Sequence, residues 1–433
     1  MTANRRLVAR HAIHQVRRSL AEARVVVLNG PRQAGKTTLV RDQLRPAVGG
    51  TFVTMDDDDE LAACLADPRS YLEQPHPLMI DEFQRAGDRL LRAVKAVVDE
   101  DPAPGRFVLT GSTRFLTLPT ISESLAGRAH IVDLWPFTQG EAQELGEGAD
   151  TLLPRLFKES TPVGALPATK LPSRRDYLER VCRGGYPETR DLAPDARHRF
   201  FRNYLRTVTQ RDVPEISHIR HLDELPRIMR LLAGVTAQEI KDTELADHLS
   251  IDRRTLRANY LPLLHTVYLA LELPAWSRNL VSRVSRHPKS YLVDSGLAAH
   301  LLGTDAERLS APTAPGAGAL VESFAVNELV RQASRFADDL GVSLHHYRAH
   351  GGTEIDVVAE SDDGRVVGVE VKAAASVDRG DFSHLVAVRD RLDRLSDARF
   401  VWGAVLYTGD RALSFGDRLV ALPIAALWLP PAD

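Results

Sequence analysis

Short, unbroken apolar runs that end in glycine, carboxylate or hydroxyl residues recur through the first third of the chain. They are Arg24-Val25-Val26-Val27-Leu28, Thr51-Phe52-Val53-Thr54-Met55, Leu78-Met79-Ile80-Asp81-Glu82 and Arg106-Phe107-Val108-Leu109-Thr110. Runs of β-branched and aliphatic residues without alternation are those of strands buried on both faces. A helical period over Asp88–Val98 lies between the third and fourth. Strands alternating with helices predict an α/β core with a parallel sheet over residues 1–145. The acidic run Asp56 to Glu60 reads as a solvated strand-end loop or a helix start.

The pattern then changes. Gly146 to Ser173 is rich in Gly, Pro and Thr without a period and predicts a long loop. Helical patterns resume over Arg174–Val213, and a compact helical stretch follows over about Leu222–Leu271. Gly303 to Gly318 reads as a linker. Beyond it come a helix at about Ala319–Leu340 and strands at Ser343–Arg348, Thr353–Glu360 and Arg365–Ala373, an α+β pattern. The expected division is 1–145, 146–215, 216–302, 303–318 and 319–433.

Bulk properties narrow the class. A chain of 433 residues exceeds one ordinary core, so several domains are expected. No apolar run reaches eighteen residues, and Met1 to Leu20 lacks the apolar centre of a secretory signal. A cytoplasmic location and no membrane association are the expectation. The cysteines Cys64 and Cys182 form neither a disulfide framework nor a zinc site. The net charge is −3, yet Arg197 to Ser290 holds sixteen Arg/Lys against ten Asp/Glu. A basic middle between acidic ends suits a polyanion or, equally, arginines paired on solvated helices. Lysine is scarce: seven (36, 95, 158, 170, 241, 289, 372) beside forty-eight arginines. Retained lysines mark places that need a compact ammonium rather than a guanidinium fork.

The first strand runs into Gly30-Pro31-Arg32-Gln33-Ala34-Gly35-Lys36-Thr37-Thr38, a phosphate-binding loop between a strand and a helix. Backbone N–H groups of Gly35, Lys36 and Thr37 would face phosphate oxygens at the positive end of the helix. Lys36 would reach the β- and γ-phosphates of ATP, and Thr37 would help to hold Mg²⁺. Asp81, forty-five residues after Lys36, suits the metal, and Glu82 suits general-base work on the attacking water. Ser112 is the candidate γ-phosphate sensor, with Thr110 and Thr113 close by. Arg128 is the candidate transition-state arginine, acting in its own site or a neighbour's.

These motifs occur in order with Leu109-Thr110-Gly111-Ser112, Ser124-Leu125-Ala126-Gly127-Arg128, Leu134-Trp135-Pro136-Phe137-Thr138-Gln139-Gly140-Glu141, Gly184-Gly185-Tyr186-Pro187-Glu188, Gln210-Arg211-Asp212-Val213 and Tyr291-Leu292-Val293-Asp294-Ser295-Gly296-Leu297. Together they resemble, over nearly the whole chain, the prokaryotic AAA-type ATPase family with a C-terminal domain of unknown function. The resemblance implies an ATPase core, a winged-helix middle and a nuclease-like end.

Within the middle, Thr243 to Leu256 reads as helix, turn and helix, with Ser250 or Asp252 as cap. Arg253, Arg254 and Arg257 would face phosphates or base edges if the second helix reads DNA. At the end, Glu354-Ile355-Asp356 is followed by a turn at 362–364 and by Val369-Glu370-Val371-Lys372. Period two sets Glu370 and Lys372 on one face, with Asp356 on the hairpin partner. Glu322, on the preceding helix, would add a carboxylate. Carboxylates around Mg²⁺ or Mn²⁺ with a lysine beside them suit phosphodiester hydrolysis. This part resembles the restriction-endonuclease-like superfamily, although no Pro precedes Asp356.

Two functions follow as expectations. One is a Mg²⁺-dependent ATPase acting on DNA and coupled to a metal-dependent nuclease-like domain. The other is an ATP-switched regulator of the defence or toxin–antitoxin type, binding DNA or a protein partner without cleavage. The oligomeric state stays open.

Overall fold

The computed structural model describes residues 7–112, 125–158, 171–217, 219, 221–239, 241–277, 287–311, 313–349, 352–394 and 399–430. The chain forms two compact units: Met1–Phe137 with Leu263–Leu269, and Thr138–Pro262 with Ala270–Asp433.

The first unit is built on five parallel strands: β1 (Val25–Asn29), β2 (Thr51–Thr54), β3 (Leu78–Asp81), β4 (Phe107–Thr110) and β5 (Ala129–Asp133), in the order β2-β3-β4-β1-β5. Successive residues of β1 point to opposite faces. Val25 and Val27 join Leu78, Ile80, Phe107 and Leu109 beneath Leu90, Leu91, Val94 and Val98 of the helix Gly87–Glu100. Val26 and Leu28 join Met79 and Val108 against Leu39, Val40 and Leu44 of the helix after the loop. Apolar cover on both faces explains why these strands read as unbroken apolar runs. All carboxyl ends lie along one edge. The acidic run begins the helix Asp58–Ala66, with Asp57 capping it by accepting from Asp59 and Glu60 N–H groups.

The second unit holds two sheets. A small one has β6 (Gln238–Glu239), β7 (Ala270–Leu273) and β8 (Lys289–Leu292) in the order β6-β8-β7. In chain order come the helix Glu224–Gly234, β6, the helix Asp242–Ala246, a helical run over 253–266 whose last four residues belong to the first unit, and then β7 and β8. The larger sheet has β9 (Val342–Arg348), β10 (Glu354–Ser361), β11 (Arg365–Lys372), β12 (Arg399–Tyr407), β13 (Leu413–Ser414) and β14 (Leu419–Pro423), in the order β13-β14-β12-β11-β10-β9. β9, β10 and β11 are antiparallel; β12 crosses over through the helix Ser383–Leu392 to lie parallel to β11. The helix Ala317–Arg335 precedes the sheet.

Two expectations fail here. The loop over 146–173 contains the helix Leu152–Leu156, whose Leu152, Leu153 and Leu156 are buried; residues 159–170 lie outside the description. The linker over 303–318 contains the helix Ala306–Leu309, anchored by buried Leu309. A few apolar residues among glycines and prolines suffice to fold a turn when a core receives them.

Several motif residues are structural. Gly184 has φ +71°, and a Cβ there would meet Asp294 Oδ1 at 2.1 Å. Buried Asp294 accepts from the N–H groups of Gly185 (2.6 Å) and Leu297 (3.0 Å), tying two distant turns together. No helix among the described residues is long and apolar enough to cross a membrane.

Candidate functional site

The loop between β1 and the helical run over 36–48 is a compact turn. Gly35 adopts the left-handed conformation (φ +96°) that lets the chain swing into the helix at Lys36. Lys36 is buried, and its Nζ donates to the carbonyls of Gly30 (2.8 Å) and Pro31 (2.9 Å). Pro31 and Ala34 are buried, Arg32, Thr37 and Thr38 half-buried, and Gln33 exposed. Arg10 braces the loop: its guanidinium donates to Ala34 O (2.6 Å) and Trp135 O (2.7 Å) and lies 4.8 Å from the Phe137 ring centroid. Sequence reasoning missed Arg10. Its signal was weak, one arginine among many, but the Trp-Pro-Phe motif is half of its binding place.

Asp81 ends β3 and is buried. Its Oδ2 accepts from Thr37 Oγ1 at 2.8 Å, and its Oδ1 accepts from the Thr110 hydroxyl. The two threonines therefore orient the carboxylate from both sides. Thr110 thus has a positioning role that a sensor assignment overlooks.

Glu82 follows in the left-handed region (φ 50°, ψ 41°), a strained conformation for a residue with a Cβ. That bend takes its carboxylate off the strand direction, where Gln84 Nε2 donates to it. Burial pushes the Glu82 carboxyl above its ordinary value, opposed by Lys36 and by the Gln84 hydrogen bond. Gly111 N donates to Leu28 O, which brings half-buried Ser112 to the loop's edge of the sheet. Thr113 lies outside the described residues.

Arg128 is not brought to this site. It precedes β5, whose Ala129 pairs with Val25 at the start of β1, the strand end opposite the loop. At about 3.3 Å per residue, the five residues of β1 separate it from the loop by about 16 Å. Its guanidinium is held by both carboxylate oxygens of Asp99, at 2.5 and 2.9 Å. An own-site role for Arg128 is therefore corrected.

The second unit carries a separate polar cluster. β10 and β11 pair Val357 with Val369, and continuing that register sets Asp356 opposite Glu370. The register of β10 against β9 shifts between Ile355 and Val358, a bulge that takes in Asp356 and Val357. Asp356 Oδ2 accepts from Val371 N–H at 2.9 Å. Lys372 Nζ donates to Glu370 Oε2 at 3.3 Å, while buried Glu370 Oε1 has no hydrogen-bond partner among the described residues. Burial and the Asp356 charge push the Glu370 carboxyl up to about 8.

A residue that sequence reasoning passed over stands between the carboxylates. Lys289, first in β8 and buried, places Nζ 3.0 Å from Glu322 Oε1, 2.9 Å from Glu354 Oε1 and 3.0 Å from Asp356 Oδ1. Tyr291, two residues on and facing the same way, donates to Glu322 Oε1 at 2.8 Å. Burial and Asp356 push the Glu322 carboxyl up to about 7 despite Lys289. Among the described residues no three His, Cys, Asp or Glu side chains are grouped to hold a metal ion. Of the expected metal set of Glu322, Asp356 and Glu370, the first two share the Lys289 ammonium, and Glu370 lies across the hairpin from Asp356. Lys289 was visible in sequence only as one of seven lysines.

Comparison with known proteins gives three family models. One described as an AAA domain matches residues 22–143. Two described as domains of unknown function, DUF8612 and DUF4143, match residues 174–308 and 317–427. The chain is 31% identical over 418 residues to the uncharacterized protein Rv2008c of Mycobacterium tuberculosis, covering 96% of this chain and 83% of that one. The uncharacterized protein Mb2031c of Mycobacterium bovis gives the same values. Among solved structures, the Walker-type ATPase PABY2304 of Pyrococcus abyssi is 17% identical with a TM-score of 0.42, covering 70% of this chain and 97% of that one. The RuvB Holliday junction branch migration motor of Thermotoga maritima is 17% identical with a TM-score of 0.29, covering 62% and 90%.

Proposed function

Because the chain belongs to the family of these mycobacterial proteins, with a P-loop AAA-type ATPase domain at its front, we propose that it is a Mg²⁺-dependent ATPase whose nucleotide state governs DNA binding. The observation that carries the ATPase half is the convergence of Thr37 and Thr110 on Asp81 beside the Lys36 loop. Thr37 and Asp81 would hold Mg²⁺, which neutralises phosphate charge when bound. Gly30 to Thr38 would cradle the phosphates of ATP through backbone N–H groups. The raised Glu82 carboxyl suits a base for water, and Ser112 suits contact with the γ-phosphate. Arg128 would serve a neighbouring copy's site, if any.

Support for DNA comes from the middle region. Helix, strand, helix, helix and two strands, with the sheet order β6-β8-β7, support a winged-helix reading. Asp252 caps the helical run over 253–266, and Arg253, Arg254 and Arg257 are exposed on its first turns. The test is fluorescence anisotropy on duplex DNA across a salt series, with and without ATP. Wild type should bind with a steep salt dependence, and replacing the three arginines by alanine should weaken binding and flatten the slope. Binding unaffected by that replacement would refute the role of this helix.

A second reading concerns the C-terminal region, where one helix, three antiparallel strands, a helix and a parallel strand follow in order. That plan and the Asp356/Glu370/Lys372 arrangement support a restriction-endonuclease-like domain. The residues as arranged do not fit a divalent ion while Lys289 stands among them, so the domain would bind rather than cut in this arrangement.

A further inference from the structure

We propose that His198, Arg202, Arg230 and His300 of the second unit form a site for a backbone phosphate of nucleic acid, and that binding there takes up a proton. This rests on the reading that the middle region binds DNA, and adds to it a contact surface outside the helical run over 253–266.

Three helices meet at this place. Pro194–Thr207 and Glu224–Gly234 both pack against Ser295–Leu301. His198 and Arg202 stand four residues apart on the first helix and so share a face. His300 Nδ1 lies 3.0 Å from His198 Nδ1, with the ring centroids 4.3 Å apart. At that distance only one of the two facing nitrogens can carry a hydrogen. His198, Arg202 and Arg230 are exposed and His300 is half-buried. Other arginines of the second unit are paired: Arg190 with Glu144, Arg227 with Glu224 and Arg308 with Asp305. Among the described residues neither Arg202 nor Arg230 has a carboxylate partner.

Every charged group that acts on His300 is a base. Burial, His198, Arg202 and Arg230 push its imidazole down to about 4. Among the described residues no carboxylate acts on it from its own helix, from β8, or from the helices Arg174–Arg183, Pro194–Thr207, Glu224–Gly234 and Ala317–Arg335 packed against it. Basic groups gathered without an acid repel one another until an anion joins them. A phosphate oxygen accepts from imidazole and guanidinium N–H groups alike, and its charge raises the imidazole again. The bound state therefore holds a proton that the free state lacks, and binding tightens as pH falls.

Continuity with the 253–266 run identifies the phosphate as one of a polymer. Arg227 donates to His248 O at 3.0 Å, which holds the turn before the Asp252 cap. Arg230, three residues on, lies on the same face of Glu224–Gly234 and acts on His300. From the exposed arginines of the 253–266 run, through Arg227 and Arg230, to His300 and Arg202, basic groups make one track within the second unit. Successive phosphates of a strand fit such a track, whereas a single free anion would fill one end of it.

The test is fluorescence anisotropy of a labelled duplex with the full chain between about pH 8 and pH 5, the range over which histidine titrates. Wild type should bind more tightly as pH falls, by at most about tenfold per pH unit, the limit for uptake of one proton. His198→Gln/His300→Gln should flatten that dependence. Arg202→Ala/Arg230→Ala, at exposed positions that leave the fold intact, should weaken binding and reduce the salt slope by about 2, roughly 1 per lost contact. Circular dichroism checks folding. A pH dependence that survives in the histidine variant would overturn the proton uptake, and an unchanged salt slope in the arginine variant would overturn the phosphate site. Millimolar inorganic phosphate at matched ionic strength should leave the duplex bound; displacement would assign the site to a free anion instead. Capture of poly-glutamate in place of the duplex, with the same dependence on these residues, would overturn the nucleic-acid assignment in favour of an acidic protein. Failure of the underlying DNA reading would show differently, as a wild-type chain that binds no duplex at any pH.

Discussion

Thr37 Oγ1 donates to Asp81 Oδ2 across 2.8 Å, joining the first turn of the loop helix to the end of β3. Thr110 donates to the other oxygen of the same carboxylate. Asp81 is thereby held in one orientation before any ligand arrives, which is what a metal-positioning group needs.

Thr110 is consequently a positioning residue with a measurable effect. Thr110→Val removes the donor from a buried carboxylate oxygen, a loss of about 1–3 kcal/mol. Turnover should fall roughly 5- to 100-fold, with ATP affinity within about twofold of wild type and partial recovery at high Mg²⁺. Thr110→Ser should restore turnover. Steady-state ATPase assays and nucleotide titration separate these effects.

Lys36→Ala should weaken ATP binding, while Glu82→Gln should bind ATP normally and turn over about 10²–10⁴-fold more slowly. Burial raises the Glu82 carboxyl, so its basic form is lost as pH falls through that raised value. The wild-type rate should drop on the acid side at a pH above the ordinary carboxylate range. That inflection should vanish from the residual rate of Glu82→Gln. Turnover by Glu82→Gln equal to wild type would refute its role.

Arg128 is clamped to Asp99 at the far end of the sheet. At concentrations where sedimentation shows single chains, Arg128→Ala should hydrolyse ATP at the wild-type rate. If turnover rises on self-association, only wild type should show that rise.

Gly184→Ala should destabilise the second unit by about 2–4 kcal/mol, because position 184 has φ +71°, which disfavours a residue with a Cβ, and the added methyl meets Asp294 at 2.1 Å. Thermal denaturation should show the loss, and Asp294→Ala should not rescue it fully, since the strain on φ remains.

The C-terminal carboxylates make a pH prediction. Glu370 and Glu322 titrate at about 8 and about 7 in the folded chain, against about 4.5 when unfolded. Folded protein therefore holds these protons more tightly. Their stabilising contribution is present below about pH 4.5 and is lost as pH rises through 7 to 8. The melting temperature should decline over that interval, and Glu370→Gln should flatten the decline.

Local chemistry was legible in the sequence. The loop from Gly30 to Thr38, the strand end at Asp81-Glu82 and the Glu370-x-Lys372 alternation each lie within a few residues. Strand and helix periods alone dictate where such side chains point. The β10–β11 hairpin brings Asp356 to Glu370 by the same local logic. What only the tertiary structure decided was register and crossing. Pairing of Ala129 with Val25 carried Arg128 to the wrong end of the sheet for the loop beside it. Lys289 meets Glu322 and Asp356 across 33 and 67 residues, a convergence that no spacing rule encodes. It depends on the small sheet docking against β9, where buried charge finds its partners only after the chain has folded around it.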